Sequence, residues 1–255
     1  MPFISRISTG YLGYTKQRKV QLATPAVVPV SSGRVLYLDA GDPTSYSGSG
    51  TTWNDISGNG NTGTLVNGPT YSSNNGGYFT LDGVNDYILA NNTSLNSKFS
   101  STAVSHFIWV YPTSAGQIVV ELGQTTINTG WHDSNIEISS GGVFRISTWH
   151  NSLANKVTSA QSFNSWYHVG FTYGGTTLTA YINGSSVGTT TFTRQAPYNN
   201  SQQTHYALGA TDFTNMGTQG YAAGRYANFS VYNKALSASE VKQNYDALKS
   251  RFGLS

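Results

Sequence analysis

A chain of 255 residues is long enough for one large domain, and its charged fraction of 10% lies far below the roughly 25% of ordinary globular proteins. Helical bundles and coiled coils build their solvent faces from Glu, Lys and Arg, so this composition excludes them. Cysteine is absent, which removes disulfide scaffolds, thiolate metal sites and cysteine nucleophiles together. Aromatic residues at 13%, with 28 Gly and much Ser, Thr and Asn, fit a folded protein of strands and turns.

The charge is uneven along the chain. Residues 1–34 carry five bases and no acid, residues 35–230 five bases against nine acids, and residues 231–255 four against two. The net charge of +3 therefore belongs to the two ends. The first segment is also apolar, with Phe3, Ile4, Ile7, Tyr11, Leu12 and Tyr14, and Pro25 and Pro29 bias it toward extended backbone. A basic and sticky arm is expected to dock on a negatively charged partner, with Arg6, Tyr11, Tyr14, Lys16, Arg18 and Lys19 as the anchoring residues. Three clustered bases, Lys16, Arg18 and Lys19, are few for phosphate binding, which disfavours nucleic acid. No apolar run long enough for a transmembrane helix occurs, so no membrane insertion is expected, and no secretory signal is read at the start.

From Val35 the pattern is strand after strand, each closed by turn chemistry. Val35–Leu38 opens, and Tyr78–Leu81 and Tyr87–Leu89 flank Asp82-Gly83. Val104–Tyr111 stops at Pro112, and Gln117–Leu122, Asn135–Ile138 and Val143–Trp149 follow. Trp166–Tyr173, Leu178–Ile182 and Val187–Phe192 are separated by Gly174-Gly175 and by Asn183-Gly184, a type I′ hairpin signal. His205–Gly209 and Tyr226–Tyr232 complete the series, which points to a two-sheet sandwich. One helix is expected after it. Ser237 and Glu240 form a capping box, Leu236 and Val241 staple its start, and Val241, Tyr245, Leu248 and Phe252 make one apolar stripe ending at Gly253.

Several ordered pieces carry a family resemblance. They are Leu36-Tyr37-Leu38-Asp39-Ala40-Gly41, Trp53-Asn54-Asp55-Ile56-Ser57-Gly58-Asn59-Gly60-Asn61 and Phe79-Thr80-Leu81-Asp82-Gly83-Val84-Asn85-Asp86-Tyr87-Ile88. Trp166-Tyr167-His168-Val169, Ala180-Tyr181-Ile182-Asn183-Gly184 and Val231-Tyr232-Asn233-Lys234-Ala235-Leu236-Ser237 follow downstream. Over residues 35–250 the chain resembles the laminin-G-like, concanavalin-A-like lectin/glucanase jelly-roll domains, of the kind found in bacteriophage virion structural proteins. The resemblance implies a jelly roll; it leaves function open, because this fold carries enzymes, lectins and architectural proteins alike.

The glucanase members cleave with two carboxylates roughly 5–10 Å apart. Here the only glutamates are Glu121, Glu137 and Glu240, no acids stand at i and i+2, and the resemblance's E-x-D-x-E signature is missing, so no catalytic residue is expected. A cross-strand pair of Glu121 and Glu137 is the one arrangement left open. For a metal, Asp55-Ile56-Ser57-Gly58-Asn59-Gly60 matches the front of a calcium loop, but Val66 stands where the bidentate acid would be; a locally bonded turn is the simpler reading. Asp82 and Asp86 are the best Ca2+ candidates, where calcium-binding relatives can place a ligand. For sugar, Trp131, His132, Trp149, His150, Tyr198 and Asn199 fall in loops or strand ends and combine ring faces with polar groups. Trp109 and Trp166 sit among apolar residues and are expected in the core.

The expected architecture is all-β: a two-sheet antiparallel jelly-roll sandwich over residues 35–236, an extended basic anchoring arm (1–34), and a C-terminal helix (237–255) packed on the sandwich or a neighbour. The expected function is a non-enzymatic virion surface protein of a bacteriophage, on head or tail, assembled in the host cytoplasm without a cofactor. Its partners would be capsid or tail proteins through the arm, then host surface polysaccharide, with homo-oligomerisation left open. The alternatives are a carbohydrate-binding adhesin or tail-fibre module, and then a glycoside hydrolase.

Overall fold

A computed structural model describes residues 26–91, 95–99, 102–122, 132–150, 152–193, 205–210 and 220–255, with the backbone alone at 91, 96, 122, 132–135, 149–150 and 152–157. The strands are β1 (Arg34–Asp39), β2 (Thr52–Trp53), β3 (Gly63–Val66), β4 (Thr70–Ser72), β5 (Tyr78–Leu81), β6 (Tyr87–Asn91), β7 (Val104–Pro112) and β8 (Gly116–Leu122). They continue as β9 (His132–Ile138), β10 (Val143–His150), β11 (Ser152–Ala160), β12 (Tyr167–Gly174), β13 (Thr177–Ile182), β14 (Ser185–Thr191), β15 (His205–Leu208) and β16 (Gly224–Tyr232). Helix α1 (Ala238–Leu248) runs into a short 3-10 turn, Lys249–Phe252.

These form two sheets whose strand pairs are antiparallel. Sheet 1 has the order β14-β13-β12-β7-β16-β5-β4, with β1 also paired to β16; sheet 2 has the order β11-β10-β9-β8-β15-β6-β3-β2. The strands alternate as a sandwich requires. Ile108, Val110, Val169, Phe171, Phe229 and Val231 of sheet 1 meet Ile88, Ile136, Ile138, Phe144, Ile146 and Leu208 of sheet 2 in one core. The jelly-roll reading of the sequence is therefore borne out. The Asn183-Gly184 hairpin is formed with both residues at positive φ, 50° and 75°.

The outer face of sheet 1 is a second apolar layer. Phe107, Tyr181 and Tyr232 pack with Val30, Leu236 and Val241, and Tyr78, Trp109 and Trp166 pack with Tyr245 and Phe252. Trp109 stacks on Phe252 at 4.3 Å between centroids and on Tyr245 at 5.7 Å. Trp109 and Trp166 are thus buried, but beneath the helix and not between the sheets. The Ser237–Glu240 capping box closes both ways and starts α1. Leu236 and Val241 lie in one cluster, as a staple should, and Gly253 ends the 3-10 turn at φ 72°.

Three further ties hold this layer. The Val30 N–H donates to Asn244 Oδ1 at 2.8 Å, and Gln243 Nε2 donates to the Val28 carbonyl at 2.8 Å, so the end of the expected arm lies against the chain's own helix. Arg251 pairs with Asp39 at 2.6 Å and donates to the carbonyls of Asn75 and Gly77 at 2.8 and 2.7 Å. That clamp needs the backbones to approach closely: a Cβ on Gly77 would lie 2.2 Å from the Ala40 carbonyl oxygen.

Candidate functional site

The two outer faces differ in chemistry. On sheet 2, Ile136, Ile138, Phe144 and Ile146 point into the core, so Glu137 and Arg145 between them point outward. The register sets Glu137 opposite Arg145 on β10 and opposite Gln117 on β8. Gln117 in turn bridges to Tyr221, which occupies the lane that β15 vacates. Tyr221 lies beside Tyr87 of β6, with ring centroids 6.4 Å apart and planes at 31°. The result is a row, Tyr87, Tyr221, Gln117, Glu137, Arg145, drawn across the sheet. From Tyr221 to Arg145 it covers three strand spacings, about 14 Å.

Its polar half is pre-ordered. Glu137 is 5% exposed; Arg145 Nη1 donates to its Oε1 at 2.6 Å and Gln117 Nε2 to its Oε2 at 2.5 Å. A buried carboxylate needs such partners, and this one fixes both in place. Its aromatic half stands over small residues. Val120, Ala207 and Ala210 are buried, with Tyr87, Leu89 and Tyr221 half-buried against them. Burial, chiefly, raises the Tyr87 hydroxyl pKa. Gln117 is fully buried, so the groups the row offers to a ligand are the ring faces of Tyr87 and Tyr221, which suit the apolar faces of sugars, and the Arg145 guanidinium, which suits hydroxyls and acceptor groups.

The two glutamates of sheet 2 do not converge. Glu121 points between the sheets, where Tyr206 Oη donates to its Oε1 at 3.3 Å and also lies 3.1 Å from His106 Nε2. Glu137 is on the opposite face of the same sheet. The pair left open by the sequence therefore cannot flank one glycosidic bond.

The other sequence candidates are distributed as follows. Trp131, Tyr198 and Asn199 lie outside the described residues, as do Arg6, Tyr11, Tyr14, Lys16, Arg18 and Lys19. For His132, Trp149 and His150 only the backbone is described. His132 opens β9 and Trp149 and His150 close β10, and the pairing of Thr148 with Ser134 puts these strand ends at one edge of sheet 2. His205 opens β15 at that edge; it is 1% exposed, its ring nitrogens have no partner among the described residues, and burial lowers its pKa.

Asp82 and Asp86 build the β5–β6 turn. Asp82 Oδ1 accepts from the N–H groups of Val84, Asn85 and Asp86 at 2.8, 3.2 and 3.3 Å, which lowers its pKa. Asp86 Oδ2 accepts from the Asp82 N–H at 3.2 Å, while burial raises its pKa. Among the described residues no group of three His, Asp or Glu is placed to hold a metal ion. Asp55 is likewise engaged, accepting from the N–H groups of Tyr37, Ser57 and Asn61 and from the Ser57 hydroxyl.

The row itself was missed by sequence reading. Ile136-Glu137-Ile138 and Phe144-Arg145-Ile146 around a Gly-Gly turn carried a usable signal, because a hairpin with that alternation sets the two charges opposite each other on the solvent face. Nothing local placed Tyr221 beside Gln117.

The solved structures with similar folds differ widely in sequence. Domain 4 of AbnA, a GH43 extracellular arabinanase from Geobacillus stearothermophilus, solved with arabinotriose, is 16% identical; the match covers 83% of this chain and 98% of that one, with a TM-score of 0.63. A structure concerned with the entry of botulinum neurotoxin type C into cells, described as dependent on two ganglioside molecules, is 14% identical over 86% of this chain and 52% of that one, TM-score 0.65. Trypanosoma rangeli sialidase with sialic acid is 14% identical over 88% of this chain and 34% of that one, TM-score 0.62. The chain spans about half the length of the toxin binding domains it matches. No curated protein sequence matches it. At such identities the likeness is one of fold. Residues 82–242, more than half of the chain, match a family described by the same architecture, and the chain belongs to the concanavalin A-like lectin/glucanases superfamily.

Proposed function

We propose that this domain binds carbohydrate without cleaving it, through Tyr87, Tyr221 and Arg145, the accessible members of the row that the buried Gln117 and Glu137 hold together. The observation that carries the reading is the row itself: half-buried aromatic rings at one end and, at the other, a half-exposed guanidinium held by one buried carboxylate, with the buried Gln117 joining the two. A single domain of this fold was solved with arabinotriose, and the fold also forms part of a sialidase solved with sialic acid, which supports the ligand class. The opposed faces of Glu121 and Glu137 argue against a glycosidase. A glycan panel tests the reading. Saturable binding to at least one polysaccharide, weakened by Tyr221→Ala, is expected. A flat panel would sink it, and binding lost on Trp149→Ala but kept in Tyr221→Ala would move the site to the His132–His150 edge.

The finer proposal is that the domain is displayed on a bacteriophage particle, tied there by residues 1–34. Its support is the acid-free, basic and apolar composition of that segment. Immunogold labelling of purified particles with an antibody to residues 35–255 tests it. Regular labelling of heads or tails is the expected result, whereas protein found only free or on cells would point to the adhesin alternative.

A further inference from the structure

The carboxylate of Glu137 has both oxygens occupied, one by Arg145 and one by Gln117. Glu137 is also only 5% exposed, so this carboxylate offers little acceptor capacity to a ligand. Donor capacity remains. Guanidinium carries five N–H groups in a fixed fork, and Arg145 uses Nη1 on Glu137 while its side chain stays 46% exposed. Its remaining donors have no partner among the described residues. A hydroxyl presents both a donor and acceptors, so it matches an all-donor site only in part. A carboxylate or sulfate is all acceptor and matches the fork in geometry and charge. Because Glu137 orients the guanidinium beforehand, less freedom is lost when such a group docks.

From this arrangement we infer that the ligand is an anionic oligosaccharide, with a carboxylate- or sulfate-bearing sugar seated at Arg145 and a sugar ring against Tyr221 and Tyr87. This rests on the carbohydrate-binding reading and adds the charge of the ligand and its direction along the row. About 14 Å separates the anion-binding end from the aromatic end, so a short oligosaccharide, and not a single sugar, engages both.

The test uses the full chain and four probes, followed by isothermal titration: oligogalacturonate, the same oligomer with its carboxyls reduced to alcohols, dextran sulfate, and dextran. The wild type is expected to prefer one charged probe over its neutral twin by about tenfold or more. The preferred probe distinguishes carboxylate from sulfate. Arg145→Gln should bring the preference close to one, because the charged probe loses an ion pair that its neutral twin never made, and Arg145→Lys should keep part of it. Each preference is a ratio within one protein, so a change in the folded fraction does not mimic the effect. The basic residues 1–34 attract any polyanion, but they are unchanged in Arg145→Gln, so an undiminished preference in that variant would overturn the inference. Equal binding of charged and neutral twins by the wild type would also overturn it, while leaving carbohydrate binding intact. Failure to bind all four probes would overturn both readings for these sugars.

Discussion

The two outer faces of the sandwich are made of the same kind of strand and finish differently. On sheet 1 the outward side chains are Phe107, Trp109, Tyr181 and Tyr232, and α1 with the segment at Val30 closes over them. On sheet 2 the outward row is Tyr87, Tyr221, Gln117, Glu137 and Arg145, and no described helix covers it. The first face spends its aromatics on stability. The second carries a charge pair whose carboxylate is buried while its guanidinium stays 46% exposed, so part of the donor fork is turned outward. Large aromatics mark a functional surface only when they are left half-buried beside ordered polar groups.

The largest expected effect lies on the sealed face. Trp109→Ala removes the ring under Phe252 and Tyr245 and should cost about 3–5 kcal/mol in urea unfolding, with glycan binding by the folded fraction unchanged. A loss of binding at unchanged stability would erase the distinction between the faces. Acid is the second probe. His168 lies under the helix, fully buried, and burial pushes its pKa down to about 3 from the ordinary value of 6.5. The unfolded chain binds that proton first, so this contribution to stability is complete above about pH 6.5. It falls by about 1.4 kcal/mol per unit as pH drops toward 3. The histidine's share of that slope should vanish in His168→Phe, checked by denaturation midpoints between pH 7 and 4. Arg251→Ala comes next, at about 2 kcal/mol, because it leaves a largely buried Asp39 carboxylate unpaired. The smallest effect is on the other face: Tyr87→Ala should weaken sugar binding about fivefold with less than about 1 kcal/mol lost in stability.

Much of the sealed face could be read in advance. The capping box, the stripe of Val241, Tyr245, Leu248 and Phe252, and the apolar strand of β7 are local patterns, and each does locally what its pattern says. β11 was not legible, because Ser152–Ala160 has neither an apolar run nor a clear alternation. β2, β3 and β4, at two to four residues, are too short to show a period and exist through their neighbours. The site was the least legible part. Its five residues come from five places in the chain, and the register shift between Gln117 and Val119 helps decide which side chains of β8 face out. A one-residue slip there would exchange core and surface, and sequence alone does not fix it.

The hydrogen bonds from Asn244 and Gln243 to Val30 and Val28 also give the domain a front and a back. The chain enters the described structure alongside α1, and at the other end Leu254 packs into the same helix layer. Both entry and exit therefore sit behind sheet 1, with the whole thickness of the sandwich between them and the row on sheet 2. Anything attached through residue 26 pulls from the rear. A tether at that point leaves the front turned toward the surroundings, as a flag is held by its hoist edge, and grafting the domain by either end onto another scaffold should preserve that orientation.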